Sequence, residues 1–267
     1  MKYRLAVIGC GNMGSAIVEG LLEQGWAKPE QIIATNPAAD KVEELIERLG
    51  IQGTTDNVAA AREADIVLLG VKPQIIKAAL KELRNTVTPP QLVISIAAGI
   101  STRFIEYYLP DVPVARSMPN LAVTVGMGAT AICAGQAAKP EDLAQVRAIF
   151  EAVGTVEEVH ENLMDAVTGL SGTGPMYVFH LIEALADAGV KVGLPRAVAQ
   201  RLAMQTVRGS ARLAQMSDDH PAALKDQVTS PGGTAIAALH VLRKNGFSAI
   251  LMDAVEAARD RSAELGE

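Results

Sequence analysis

Over its first 160 residues the chain alternates short apolar runs with stretches whose apolar positions recur every three to four residues. Leu5 to Ile8 is the first such run, and it passes through Gly9-Cys10-Gly11-Asn12-Met13-Gly14 into a helical pattern from Ser15 to Gln24. Gln31 to Thr35 reads as a second strand. Asn36-Pro37 then reads as an N-cap with proline at the first helical position, opening a helix that runs through Leu49 and stops at Gly50. A short strand near Gln52 to Thr54 precedes a helix opened by Asp56. The run Ile66 to Val71 is apolar throughout rather than alternating, as expected of a central parallel strand covered on both faces. Gln74 to Leu83 and Ser101 to Leu109 read as helices, with a strand from Leu92 to Ile96 between them. Strands near Val112 to Ser117, Ala129 to Cys133 and Thr155 to Val159, with a helix from Pro140 to Ala152, complete the half. This alternation predicts an α/β domain of the Rossmann type, a doubly wound sheet spanning residues 1–160.

Past Glu161 the strands stop. Helical patterns follow at Asn162 to Leu170, Pro175 to Ala188, Pro195 to Gln215, Ala222 to Val228, Pro231 to Lys244 and Ser248 to Leu265, rich in Ala, Leu, Val and Met on more than one face. Helices this apolar need partners, so residues 161–267 are expected to form an all-α domain that also dimerises.

Composition narrows the class without changing this picture. The 267 residues are 49% hydrophobic and 20% charged with a net charge of -6, which suits one large or two moderate globular domains. No Lys/Arg-rich run or basic-aromatic interleaving marks a nucleic-acid or membrane partner. Cys10 and Cys133 have neither metal-ligand nor CxxC spacing, which reads as a free-thiol protein of a reducing compartment. The first strand begins at once, leaving no room for a signal peptide, and no apolar run reaches the roughly 20 residues that span a bilayer. A cytoplasmic protein is expected.

The chemistry of the first domain centres on Gly9-x-Gly11-x-x-Gly14. After a strand and before a helix, this spacing is the mark of a dinucleotide-binding βαβ unit. Gly9 lets the chain turn off the strand, Gly11 lets a pyrophosphate approach the backbone, and Gly14 lets the helix sit close to the sheet, while the helix N-terminus offers unpaired N–H groups to the phosphates. Residues just beyond the strands are the ones to examine, since ligands of open parallel sheets bind there. Asn36 stands where an acid would bind the ribose diol of NAD; a neutral amide does not repel a 2′-phosphate, so the reading leans to NADP, with NAD possible because Pro37 rather than an arginine follows. Asn36 is also readable as only the helix cap. Asn57, Lys72, Ala97-Ala98 and the Met118-Pro119-Asn120 turn hold similar strand-end positions.

Two stretches of the second domain stand out. Asp165 to Tyr177 places glycines and hydroxyls at a helix–helix junction, which suits tight packing. Thr229-Ser230-Pro231-Gly232-Gly233-Thr234 reads as a helix start capped by Ser230, and two glycines in a first helical turn weaken it by roughly 1 kcal/mol each, a cost that makes sense if bare amides cradle a carboxylate.

Together the glycine-rich start, Val71-Lys72-Pro73-Gln74, Met118-Pro119-Asn120, the Asp165 to Tyr177 stretch, Gln205-Thr206 and Ser230 to Thr234 resemble the pyrroline-5-carboxylate reductases over essentially the whole chain. The resemblance implies NAD(P)H-dependent reduction of 1-pyrroline-5-carboxylate to L-proline, the last step of proline biosynthesis, and a homodimer interlocked through its helical domain, often assembled to a decamer. By position it implies cofactor contacts at Ile8, Gly9, Gly11, Asn12, Met13, Asn36, Asn57, Val71, Lys72, Ala97 and Ala98. It places Glu161, Gln227, Thr234 and Ala235 on the substrate side, Gln227 being counted also with the cofactor contacts, and Ser230 and Gly233 in the supporting turn. Two positions depart from the family. Ala235 replaces a hydroxyl residue that in relatives faces the ring nitrogen, and Gln227 replaces an asparagine seen in some; which group orients the nitrogen stays open.

No dedicated acid is needed, because a ring imine is basic enough to be partly protonated and its iminium accepts hydride directly; the protein positions the ring and excludes water. His160, His180, His220 and His240 follow no relay or metal spacing and read as structural. Tyr177 and Glu161 remain as groups able to supply or orient a proton. A β-hydroxyacid dehydrogenase shares the two-domain plan, but the helix after Gly172-Thr173-Gly174 carries no lysine before Lys191. A nucleotide sensor without turnover has no need of the Ser230 to Thr234 turn.

Overall fold

In a computed structural model that describes residues 2–266, the uninterrupted apolar runs are strands and the periodic stretches are helices. In chain order these are β1 (Tyr3–Ile8), α1 (Asn12–Glu23), β2 (Ile32–Thr35), α2 (Ala39–Leu49), β3 (Gln52–Thr54), α3 (Asn57–Arg62), β4 (Ala64–Leu69), α4 (Pro73–Leu83), β5 (Leu92–Ser95), α5 (Thr102–Tyr108), β6 (Val114–Met118), β7 (Gly128–Ala134), α6 (Pro140–Glu151) and β8 (Gly154–Glu158). The helices α7 (Met164–Val167), α8 (Gly174–Lys191), α9 (Arg196–Met216), α10 (Pro221–Gln227), α11 (Thr234–Lys244) and α12 (Phe247–Leu265) follow.

The eight strands form one sheet in the order β3-β2-β1-β4-β5-β6-β7-β8. The chain winds outward from β1 to β3 and then crosses back to β4, so the order reverses beside β1, where open α/β sheets bind ligands. Alternation within each strand feeds two cores. Leu5 and Val7, Ile66 and Leu68, Leu92 and Ile94 face one layer of helices, while Ala6 and Ile8, Val67 and Leu69, and Val93 face the other. A run apolar at every position is what two covered faces demand.

One feature of the sheet was not anticipated from the sequence. β7 runs antiparallel to β6, with Ala115 opposite Ala134, and parallel to β8. Residues 119–127 hold only a 3-10 turn at Leu121–Val125, and a parallel return takes roughly a dozen residues or more. Helix punctuation follows local chemistry elsewhere. Asp56 Oδ1 accepts from Val58 N and Ala59 N at 2.9 and 3.0 Å, Ser101 Oγ accepts from Phe104 N at 3.1 Å, and α2 ends on the left-handed Gly50.

The chain divides into two compact units, one running to Thr173 and taking in the stretch from Glu256 onward, the other Gly174–Val255. The second contains α8 to α11 and the first part of α12, as far as Val255. Gly189 on α8 lies so close to α9 that a Cβ there would approach that of Ala199 to 2.9 Å. Among the described residues no helix is long and apolar enough to cross a membrane, and no group of three or more His, Cys, Asp or Glu side chains is placed to hold a metal ion.

Candidate active site

β1 ends at Ile8, and the chain turns through Gly9 at φ 75, a left-handed conformation with its backbone pressed on Val71; a Cβ there would lie 3.2 Å from Val71 Cα. The turn is held from below: Gly9 N donates to Thr35 Oγ1 at 3.0 Å, and Cys10 N donates to Thr35 O at 2.7 Å. Over Gly11 no atom lies within 4 Å of where a Cβ would sit, whereas at Gly14 it would meet Val7 Cγ1 at 3.1 Å and Cys10 Sγ at 3.3 Å. The middle glycine thus faces open space and the last one packs the helix on the sheet. α1 starts with no side-chain cap and no acid in its first turn. Its first amides are free for an anion and carry the positive end of the helix dipole.

Above this turn lies a cleft of about 750 Å³, lined by Gly9, Gly11, Asn12, Met13, Asn36, Asn57, Val71 and Lys72 among others. Eight of the expected cofactor positions are therefore gathered in one place. The remaining four are not. Ile8 is fully buried, its side chain in the core and its carbonyl accepting from Gly70 N at 2.8 Å; it supports the turn without facing the cleft. Ala97 is buried and Ala98 half-buried beyond β5, and neither lines this cleft. Gln227 belongs to the second unit, where its Nε2 donates to Asp219 Oδ2 at 3.0 Å.

Asn36 does not cap α2. The helix begins at Ala39 with Ala38 as its cap residue, because the Asn36 side chain is engaged elsewhere: Nδ2 donates to Cys10 O at 3.0 Å and Oδ1 accepts from Ala38 N at 3.1 Å. Such a local bond competes with helix initiation. It also ties the loop after β2 to the glycine turn. A second link was not read from the sequence. Thr35 Oγ1 donates to Asn57 Oδ1 at 2.6 Å and Asn57 Nδ2 donates to Glu82 Oε2 at 2.9 Å, joining the turn to the cleft wall on α4. The signal for Thr35 was a hydroxyl closing an otherwise apolar strand; for Glu82 it was the spacing from Ile75, two helical turns earlier.

Cys10, in the turn itself, is 2% exposed, and burial pushes its thiol up to about 12. It is packing material and not a nucleophile. Cys133 is raised to about 11, mainly by burial and then by the charge of Glu161.

Glu161 sits at the start of α5. Its Oε1 accepts from Thr102 N at 2.6 Å and its Oε2 from Thr102 Oγ1 at 2.7 Å. The buried Arg116 of β6 lies 3.9 Å from Glu161 Oε1 and 3.5 Å from Asp165 Oδ1, and Ser262 Oγ donates to Asp165 Oδ1 at 2.7 Å. The carboxylate of Glu161 is thus an acceptor for a helix N-terminus and a partner for a buried guanidinium. Nearby, Asn120 Oδ1 accepts from Ala122 N and Ala129 N, both at 3.2 Å, and Nδ2 donates to Ser171 O at 3.1 Å. This clamps the Met118 to Asn120 turn onto a π-turn at Thr168–Gly172, where a Cβ on Gly172 would come 2.6 Å from Met118 Cε. The small residues of that stretch answer to close packing.

In the second unit, Ser230 to Thr234 is a β-turn before α11 and not its first turn. Gly233 N donates to Ser230 O at 3.0 Å, Pro231 holds the first corner and Gly232 the second at φ 67. The cap residue is Gly233, with no side-chain cap bond and no acid in the first turn. The cost to helix stability that the sequence reading assigned to the two glycines therefore does not arise: Gly232 is required by handedness, and a Cβ on Gly233 would collide with the Ser230 side chain. What survives is the bare helix start, with Thr234 and Ala235 as its first two residues. Of the four histidines, His220 caps α10 by accepting from Ala222 N at 3.1 Å, and His180 pairs with Glu183 at 3.5 Å on an exposed face.

Comparison with known proteins adds kinship to this geometry. Residues 161–265 match the family model described as pyrroline-5-carboxylate reductase dimerisation, and residues 4–99 match NADP oxidoreductase coenzyme F420-dependent. A pyrroline-5-carboxylate reductase of Synechocystis is 48% identical over 267 residues, covering 100% of both chains. Among solved structures, a pyrroline-5-carboxylate reductase from Coxiella burnetii superposes with a TM-score of 0.93 at 36% identity, covering 100% of each chain. A Plasmodium falciparum pyrroline carboxylate reductase with NADP bound gives 0.90 at 33% identity, again over 100% of each.

Proposed function

The chain belongs to the pyrroline-5-carboxylate reductase family, and from that premise we infer that it reduces 1-pyrroline-5-carboxylate to L-proline with NADPH ahead of NADH. The observation that carries the reading is the cleft above Gly9 to Gly14 in a chain that matches its relatives from end to end. The residues present fit a dinucleotide: the space over Gly11 admits a pyrophosphate, the bare start of α1 faces it, and Lys72 brings a cation to the rim. The bound coenzyme supplies a hydride. A neutral Asn36 in the cleft favours the 2′-phosphorylated form, and the Plasmodium relative was solved with NADP.

The substrate's carboxylate is assigned to the amides of Thr234 and Ala235 at the positive end of α11, with Ser230 and Gly233 shaping the turn through the Gly233 N to Ser230 O bond. A protonated ring imine needs only to be held and kept dry, so no residue is given the task of general acid. Glu161 acts through Thr102 and Arg116 as a positioning residue, and Gln227 borders the same turn by way of α10. In functional terms the division is kept at residues 1–160 for the coenzyme and 161–267 for substrate and self-association, the latter range agreeing with the extent of the dimerisation model. We propose a homodimer, which the exposed apolar helices support, assembled to a decamer of five such pairs and working in the cytoplasm.

The test is loss of nicotinamide absorbance on mixing purified protein with 1-pyrroline-5-carboxylate and either NADPH or NADH. Steady turnover with proline as product, faster with NADPH at limiting concentration, is expected. Saturable coenzyme binding without turnover would leave a sensor in place of a reductase.

A further inference from the structure

One wall of the cleft is a single face of α4: Ile75, Ala78, Ala79 and Glu82 recur at the spacing of adjacent helical turns and all line the cavity. The first three form an apolar strip. Ile75 is 53% exposed although it belongs to the unit that seals most of its large apolar side chains. The strip ends in a carboxylate. Glu82 is not adrift, since Asn57 Nδ2 donates to its Oε2 at 2.9 Å and Asn57 in turn is held by Thr35 beneath the glycine turn. Its other oxygen, Oε1, accepts no hydrogen bond from a described residue.

The sheet order says which half of a dinucleotide meets this wall. With the pyrophosphate over β1, residues after β2 and β3, Asn36 and Asn57 among them, lie on the side where the adenosine ribose binds, and the Asn57–Glu82 bond ties the α4 wall to that side. An apolar strip offers a face for a flat ring. Adenine carries one exocyclic donor, its 6-amino group, and a carboxylate is an acceptor only. Resting on the dinucleotide reading above, we propose that Glu82 is a specificity-determining residue: it accepts a hydrogen bond from the 6-amino group of the coenzyme's adenine while Ile75 and Ala78 carry the ring, so that the site reads the base as well as the phosphates. A base with an oxygen at that position sets acceptor against acceptor.

The experiment is calorimetric titration of the purified full chain with NADP+ and with its deaminated counterpart, in which hypoxanthine replaces adenine. The wild type is expected to bind the hypoxanthine form roughly tenfold more weakly, the scale of one charge-assisted hydrogen bond. Glu82→Gln, whose amide both donates and accepts, should bring the two within about twofold of each other, chiefly by weakening NADP+. A discrimination that is the same in wild type and variant, or absent in the wild type, overturns the assignment of Glu82 while leaving the coenzyme reading intact. Failure of the wild type to bind either dinucleotide removes the coenzyme reading, and this inference with it.

Discussion

In the sheet unit Leu5, Ile17, Leu68 and Phe150 have no exposed surface, whereas in the helical unit Phe179 and Ile250 leave 59% and 61% of theirs open, and only Ala186, Ala199 and Ala203 are buried there. The first unit closes two cores on itself, one on each face of the sheet. The second has helices but no comparable core of its own, and at about 1.5–3 kcal/mol per large apolar side chain its open faces have burial to gain on self-association, in keeping with the dimerisation family model over residues 161–265. On the proposed reading, coenzyme binding is thus a property of one folded unit, and self-association belongs to the other.

The sharpest break of that contrast is to place the same charge in each region. Leu68→Glu should prevent folding, at a cost of roughly 4 kcal/mol or more, seen as loss of a cooperative thermal transition. Phe179→Glu should leave a folded sheet unit that still binds dinucleotide while light scattering reports a smaller particle and turnover collapses. If both variants unfold alike, the units are not independent in this sense.

Within the sheet unit, Gly11→Val should weaken dinucleotide binding by roughly a hundredfold, about 2.7 kcal/mol, with little change in Tm, because no protein atom opposes the new side chain. In the helical unit, Gly232→Val forces a branched residue to φ 67 and costs about 1–3 kcal/mol of local strain. Steady-state kinetics should show the substrate KM rising roughly tenfold, the effect of about 1.4 kcal/mol, with the coenzyme KM unmoved. Equal changes in both constants would remove the carboxylate cradle.

The smallest effect lies at high pH. Cys10 has its folded value raised from 9.0 to about 12, and Cys133 to about 11. A group raised on folding stabilises fully below its unfolded value, and that contribution is lost as pH climbs toward the folded one, since the unfolded chain gives up its proton first. Thermal melts from pH 9 upward should therefore fall more steeply in the wild type than in Cys10→Ala, the slope relative to the pH 7 value being the observable.

The glycine turn was fully legible because each glycine answers to something local: a turn, a close approach, a packing contact. Strand positions were legible for a similar reason, since burial on two faces leaves a run that any window reveals. Both misplaced helix starts, at Asn36 and Ser230, have one physical origin. A small polar residue before proline looks like a cap, but Asn36 spends its side chain on Cys10 O, far away in sequence, and Ser230 spends its carbonyl on Gly233 N. The contacts that make the Thr35–Asn57–Glu82 chain and the Arg116 cluster were not legible, because their members come from separate elements. The antiparallel β7 turned on the shortness of a connection whose direction no single window encodes.

The grip of Asn36 constrains how the coenzyme preference of this enzyme is able to drift. An aspartate there, the usual acid for a ribose diol, would keep the acceptor for Ala38 N but turn an oxygen toward the Cys10 carbonyl, now 3.0 Å from the amide nitrogen. The exchange would open the loop that supports the phosphates before it gained anything at the sugar. Given the proposed preference for NADPH, conversion to the unphosphorylated coenzyme, by selection or by engineering, calls for a second donor to Cys10 O to be installed first.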